Sequence, residues 1–282
     1  MKNDKNQKFN WPIFQYEFLG TGLLLLIGLS LVIAMFGVGS PLVKLIPDIG
    51  ARRIITGFLF GSTGALIAIS PLGKVSGAHI NPVVTMTFLL FGKIDRRSAL
   101  SYVLGQFAGA VVGCIPLLAW GELGRSISFG ATMPGQGFAI STVILGEIIT
   151  TFTMVSLLTL FLGYRNLRPY TPAIFPILYS IMSYFEGGLS GTSTNPARSF
   201  GPAVLSGYWY DWWIYWIGPV TGAFLSTLVM SFVAKRITEA KIYHFDRDSD
   251  LLFRKKHDSD AKIKTGQATA DKISEIHNVG QS

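Results

Sequence analysis

Six stretches of the chain are apolar almost without interruption, near 18–36, 54–70, 100–120, 138–162, 172–189 and 212–233. Each is about 17 to 25 residues long, enough to cross a hydrocarbon layer about 30 Å thick as a helix. Two connecting segments break the usual pattern, because they are more apolar than a surface loop should be. Each contains an Asn-Pro pair: Asn81-Pro82-Val83 between the second and third runs, Asn195-Pro196-Ala197 between the fifth and sixth. Asn caps helix N-termini well and Pro suits the first helical position, so each pair predicts a short helix, 83–91 and 197–205, starting at its proline. Neither is long enough to span. Non-helical backbone at membrane depth is tolerated only inside protein or along an aqueous cavity. The two half-helices are therefore expected to enter from opposite faces and meet near the midplane.

The chain repeats itself. Glu17-Phe18-Leu19-Gly20-Thr21 opens one half and Glu147-Ile148-Ile149-Thr150-Thr151 the other, each half then carries its Asn-Pro, and each ends on a small-residue helix around Gly105, Gly109 and Gly113 or Gly218 and Gly222. Three spans per half is odd, so the halves must insert with opposite orientation. The fold class predicted is an all-α membrane protein of six transmembrane helices plus two re-entrant half-helices in an inverted repeat. The domain reading is an N-terminal segment 1–16, a membrane-embedded domain 17–236 with repeats 17–120 and 138–236, and a polar, disordered tail 237–282.

Composition agrees with lipid as the solvent: of 282 residues 49% are hydrophobic and 14% charged. The net charge of +8 reads as topology, not as a nucleic-acid footprint. Lys2, Lys5, Lys8, Lys74, Lys93, Arg96, Arg97, Arg165, Arg168 and Lys235 fall on one side of a six-span chain, against Lys44, Arg52, Arg53 and Arg125 on the other. The positive-inside rule then places both termini of a multi-pass protein in the cytoplasm, and with no targeting sequence visible the plasma membrane, or the inner membrane of a bacterium, is the expected site. Glu17 at the start of the first run and the absence of a following cleavage pattern argue against a secretory signal. Cys114 is the single cysteine and His79 the single histidine outside the tail, where His244, His257 and His277 lie. No Ser-His or Cys-His pair and no metal-ligand set can be built within the bundle, so no catalytic residue, metal or cofactor is expected.

The stretches SGAHINPVVT (76–85) and SGTSTNPARSFGPAV (190–204), with the EFLGT opening, closely resemble the paired signature loops of the aquaporin, or major intrinsic protein, family, and the resemblance runs from Glu17 to about Lys235. It implies an hourglass bundle in the lipid bilayer, a homotetramer with one pore per subunit, and passive permeation of water and small neutral solutes. Asn81 and Asn195 are the expected midplane donors, at the positive ends of two half-helices that repel a cation or a migrating proton. Arg198, an ionisable group at membrane depth, is a functional candidate by default, and the family's matching Arg lines the outer constriction. Glu17 and Glu147 match glutamates that bond the backbone of the signature loops; a proton relay is the other reading for them. His79 is read as a polar element of the inner vestibule, with a purely structural or pH-sensing histidine as alternatives.

Two departures bear on selectivity. Val83 replaces the usual Ala of the first motif. The resemblance implies an outer filter at fixed offsets from the two asparagines, which here fall on Gly61, Ser183, Thr192 and Arg198, a wide and polar set closer to aquaglyceroporin- or nodulin-26-like members than to a strict water channel. A slip of one residue would put Phe60 into the pore, and Ser199, Ala203, Tyr215 and Trp216 match the water-channel pattern. A secondary transporter on the same inverted repeat needs a coupling site, for which only Glu17 and Glu147 are candidates.

Overall fold

The computed structural model describes residues 9–245, and those residues are helical apart from connecting segments, with no strand among them. Lys2, Lys5, Lys8, His257 and His277 lie outside the described residues, as does the tail reading beyond 245. Eight helices carry the architecture: α1 Trp11–Phe36, α2 Ile49–Ile69, α3 Pro82–Leu90, α4 Arg96–Cys114, α5 Ile140–Gly163, α6 Thr171–Glu186, α7 Pro196–Ser206 and α8 Ile214–Val229. A 3-10 turn, Ile115–Trp120, and the helix Gly121–Arg125 prolong α4. The four helical stretches Trp11–Phe36, Ile49–Ile69, Arg96–Arg125 and Ile140–Gly163 are long and apolar enough to cross a membrane, while α6 and α8 are shorter, at 16 residues each.

The ends differ from the hydropathy pattern for local reasons. α1 starts earlier, at Trp11, because the Asn10 side chain accepts from Ile13 N at 3.2 Å and Pro12 fits the first turn. α2 likewise starts at Ile49, capped by Asp48 accepting from Ala51 N at 2.6 Å, and its first turn holds the buried Arg52 against the Met35 carbonyl at 2.7 Å. α6 stops at Glu186, before the Gly187-Gly188 pair.

The bundle presents apolar side chains on its outside and buries polar groups beside an apolar core, as suits a lipid-embedded protein. On α1 the side chains Leu19, Leu23 and Ile27, one turn apart, are exposed, whereas Glu17, Thr21, Gly20 and Leu24 are buried. Exposed Leu145 and Ile149 against buried Glu147 and Thr151 repeat the pattern on α5. Lipid tails compete well with Leu for contact, so association rests on close backbone packing at small residues. α1 packs on α4 and α5 on α8 in matching fashion. A Cβ at Gly109 would lie 2.2 Å from the Phe18 carbonyl oxygen, and one at Gly222 2.4 Å from that of Ile148. The halves interlock through α2 against α6, α3 against α8 and α7 against α4, so each half-helix leans on the last helix of the other half.

The compact unit that contains these helices extends through Tyr243, past the boundary expected at 236: Ile237 and Ile242 are both buried.

Gly109→Val is expected to wedge α1 from α4 at a cost of about 1–3 kcal/mol, the usual range for overpacking. Thermal melting of the detergent-solubilised protein checks it, with the lipid-facing Leu104→Val expected to shift stability by less than about 0.5 kcal/mol.

Candidate functional site

The two signature loops have to expose backbone in the middle of the bundle, and one buried carboxylate in each half makes that possible. Glu17 Oε1 accepts from Ser76 Oγ at 2.6 Å and His79 N at 3.0 Å, and its Oε2 from Ile80 N at 2.7 Å and Gln106 Nε2 at 2.8 Å. Glu147 does the same in the other half, with Ser190 Oγ at 2.6 Å, Ser193 N at 2.8 Å and Thr194 N at 2.9 Å. Both carboxylates are fully buried. Their pull holds corresponding residues of the two loops at positive φ, Ala78 (52°) and Ile80 (43°), Thr192 (52°) and Thr194 (49°). For branched residues such as Ile80 and Thr194 that conformation is costly, on the order of 1–3 kcal/mol each, and persists only when surrounding bonds over-determine it.

The strained backbone turns the Ile80 and Thr194 carbonyls toward the opposite loop. Asn195 Nδ2 donates to Ile80 O and Asn81 Nδ2 to Thr194 O, each at 2.9 Å, so each asparagine ties its own half-helix to the other half's loop. Their Oδ1 atoms cap the half-helices: Asn81 accepts from Val83 N at 3.0 Å, and Asn195 from Ala197 N at 3.0 Å and Arg198 N at 3.3 Å. Pro82 and Pro196 occupy the first helical positions. An amide nitrogen has two hydrogens, so each asparagine retains one for the cavity that both line. The N-terminal ends of α3 and α7 meet there, each carrying roughly half a positive charge. Val83 and Ala197 are buried in the packing around the half-helices, outside the cavity lining, so the extra methyls of Val83 are absorbed by the core.

Two cavities lie end to end. The inner one, about 50 Å³, is bounded by Gly61, Gly64, His79, Asn81, Asn195 and Ile242 among others; the outer one, about 560 Å³, by Gly57, Ser183, Gly187, Gly191 and Thr192 among others. Phe60, Tyr179 and Arg198 line both and so mark the neck. The Phe60 ring stands 6.2 Å from that of Tyr179 and 5.8 Å from the Arg198 guanidinium carbon. Arg198 is buried, donating from Nη1 to Gly130 O at 2.8 Å.

The four residues expected at the filter fall at the neck and on both sides of it, with Arg198 at the neck itself. Gly61 borders the inner cavity, but a Cβ there would lie 2.5 Å from the Phe175 carbonyl oxygen: it is the glycine that lets α2 meet α6. Its neighbour Phe60 faces the neck instead. Ser183 and Thr192 stand in the outer cavity, on the wide side of that neck.

His79 is brought to the inner end and tightly held, stacked between Phe88 (4.7 Å) and Tyr102 (4.1 Å). Its Nδ1 meets Thr85 Oγ1 at 3.1 Å and its Nε2 the Ala240 carbonyl at 2.9 Å. A carbonyl only accepts, so the partners assign the proton to Nε2. Sequence reasoning missed Tyr179, which bonds Thr194 Oγ1 at 2.7 Å, and Glu186, a third buried carboxyl, which meets Ser190 Oγ beside Glu147. Glu186 follows a run of aromatic and aliphatic residues, and its polarity inside a span was the available signal.

The sequence matches the family described as Major intrinsic protein over residues 5–230. Aquaporin-4 of Mus musculus is 31% identical over 233 residues, 79% of this chain and 67% of the relative. Aquaporin-6 of Rattus norvegicus is 32% identical over 225 residues, 77% and 74% of the two chains. Lens fiber major intrinsic protein of Gallus gallus is 30% identical over 229 residues, 78% and 80% of the two. Among solved structures, that of the aquaglyceroporin from Plasmodium falciparum superposes with a TM-score of 0.61 over 79% of this chain and 95% of the other, at 22% identity, a likeness of fold. Two half-helices meeting nose to nose in a membrane bundle define a pore with a dipolar centre, and the chain belongs to the major intrinsic protein family of membrane channels. Its members are channels, not enzymes.

Glu147→Gln turns an acceptor for buried N–H groups into a partial donor facing them. It is expected to cost roughly 2–5 kcal/mol, seen as a lowered melting temperature and loss of water flux together, with Glu17→Gln behaving alike by symmetry.

Proposed function

We propose that the pore passes water and small uncharged solutes bearing hydroxyl or amide groups, with glycerol, urea and undissociated metalloid hydroxides as the candidate class, and that its size limit lies at Phe60, Tyr179 and Arg198. The observation that carries this reading is the two-sided character of the neck. One wall is aromatic and the other is a buried guanidinium with five donors in a fixed fork. A solute with carbon on one side and oxygen or nitrogen on the other satisfies both walls, while a cation meets Arg198 and then the two half-helix ends. Outside the neck, the glycines Gly57, Gly187 and Gly191 leave a broad approach past Ser183 and Thr192 in which such a solute can shed water.

A water-only reading is favoured by one observation, the Phe60 ring beside the arginine where sequence offsets had placed a glycine. The bias of Lys74, Lys93, Arg96, Arg97, Arg165 and Arg168 supports a cytoplasmic inner end, with the Arg198 end outward. A homotetramer in the plasma or inner membrane is part of the same proposal by family membership; cross-linking in native membranes tests it.

The test of selectivity is stopped-flow light scattering of proteoliposomes under osmotic and isotonic glycerol or urea gradients, read as the ratio of solute to water permeability. The wild type is expected to pass both, and Phe60→Ala to raise the ratio several-fold. A wild type that passes water alone, with Phe60→Ala newly passing glycerol, would establish the water-only reading with the neck where proposed. An unchanged ratio in Phe60→Ala would place the size limit elsewhere.

A further inference from the structure

The inner end of the pore is bordered by a later segment of the chain. After the short helix Ser231–Ala234 the backbone returns across the loop that precedes Asn81. Ile242 N donates to Gly77 O at 3.0 Å, and the Ala240 carbonyl accepts from His79 Nε2 at 2.9 Å. Ile237 and Ile242 are buried, at 3% and 4% exposure, in a segment whose composition predicted a solvated tail. Gly77 permits the approach: its φ is +87°, and a Cβ there would lie 2.6 Å from the Ala240 carbonyl oxygen and 2.9 Å from the Lys241 Cα. The Ile242 side chain lines the same cavity as Asn81, Asn195 and Arg198, and that cavity is about 50 Å³ against about 560 Å³ on the far side of the neck.

We propose that the mouth beside His79 is a docking site for the chain's own segment 238–243, and that Ile242 is a plug which must leave before water passes. The surface fits an extended peptide: a backbone carbonyl at Gly77, an imidazole N–H at His79 clamped by two aromatic rings, and an apolar slot for one branched side chain. While the segment is docked, His79 gives its hydrogen to a backbone carbonyl and has none for a solute. Besides the Gly77 and His79 hydrogen bonds and the Ile242 side chain, Arg168 Nη1 donates to Thr238 Oγ1 at 3.3 Å and Ala240 packs against the core. We take docked and released states to lie within a few kcal/mol, the range in which a minor open state is populated at about 10% or less. Release then raises flux about tenfold or more.

Two measurements on the full-length chain test this, and both use water or a thiol reagent, so the outcome is independent of whether glycerol or urea permeates. Natural Cys114 is fully buried and gives little background to maleimide. In detergent, Ile242→Cys is expected to label at least about tenfold more slowly than Thr238→Cys, the exposed position earlier in the segment; equal rates would overturn the docked arrangement. In proteoliposomes, water permeability per reconstituted protein is expected to rise about tenfold in Ile242→Gly and Ile242→Glu and to stay at the wild-type level in Ile242→Leu. Because Ile242→Glu can fail to fold, Ile242→Gly is decisive: a well-folded Ile242→Gly with wild-type water flux would overturn the plug.

Discussion

Everything in this channel depends on satisfying irregular backbone where there is no water to do it. Two loops near the midplane carry amide hydrogens that a helix would have paired internally, and in a bilayer each orphan costs several kcal/mol. Glu17 and Glu147 answer for them, each taking two consecutive loop N–H groups and a serine hydroxyl. With the amides held inward, the Ile80 and Thr194 carbonyls turn toward the opposite half and receive Asn195 and Asn81. Loop strain, pore-lining amide and inter-repeat brace are one construction.

That construction needs helices close enough for the carboxylates to reach, which is why small residues concentrate where α1 meets α4, α5 meets α8 and α2 meets α6. Gly218, whose Cβ would lie 2.5 Å from that of Glu147, brings α8 directly against the residue that supports the second loop. Packing and function are linked at this level: widening a helix contact displaces the carboxylate, and the loop loses its acceptor. The exposed leucines and isoleucines facing lipid are replaceable by comparison, since apolar side chains there exchange one hydrocarbon neighbour for another.

The electrostatics follow from the same parts. Two half-helix N-termini, each with roughly half a positive charge, and a buried arginine lie along one passage, so the charge along it is positive and the polar groups facing it are N–H donors. The acidic groups that could offset this, Glu17, Glu147 and Glu186, lie outside the cavity lining, the first two bonded to loop amides and Glu186 through one oxygen to Ser190, which leaves the passage itself free of carboxylates among the described residues.

The sequence by itself determined the spans, the inverted repeat, the half-helices and the residues at their noses, because each is written in local chemistry: apolar runs long enough for a bilayer, and Asn-Pro as cap and first residue. It also pointed to Glu17 and Glu147 through their matching places in the two halves. What it could not decide was phase and return. Whether Gly61 or Phe60 faces the neck depends on how α2 is rotated against α6, and that rotation is set by the approach of Gly57 and Gly61 to the Tyr179 and Phe175 carbonyls. A 100° turn per residue makes an error of one position a change of wall. The segment 238–243 reads as solvated because its composition is polar, and only the folded chain shows a single isoleucine within it meeting a complementary slot. Tyr179 and Glu186 likewise acquire meaning from neighbours that no spacing along the chain could supply.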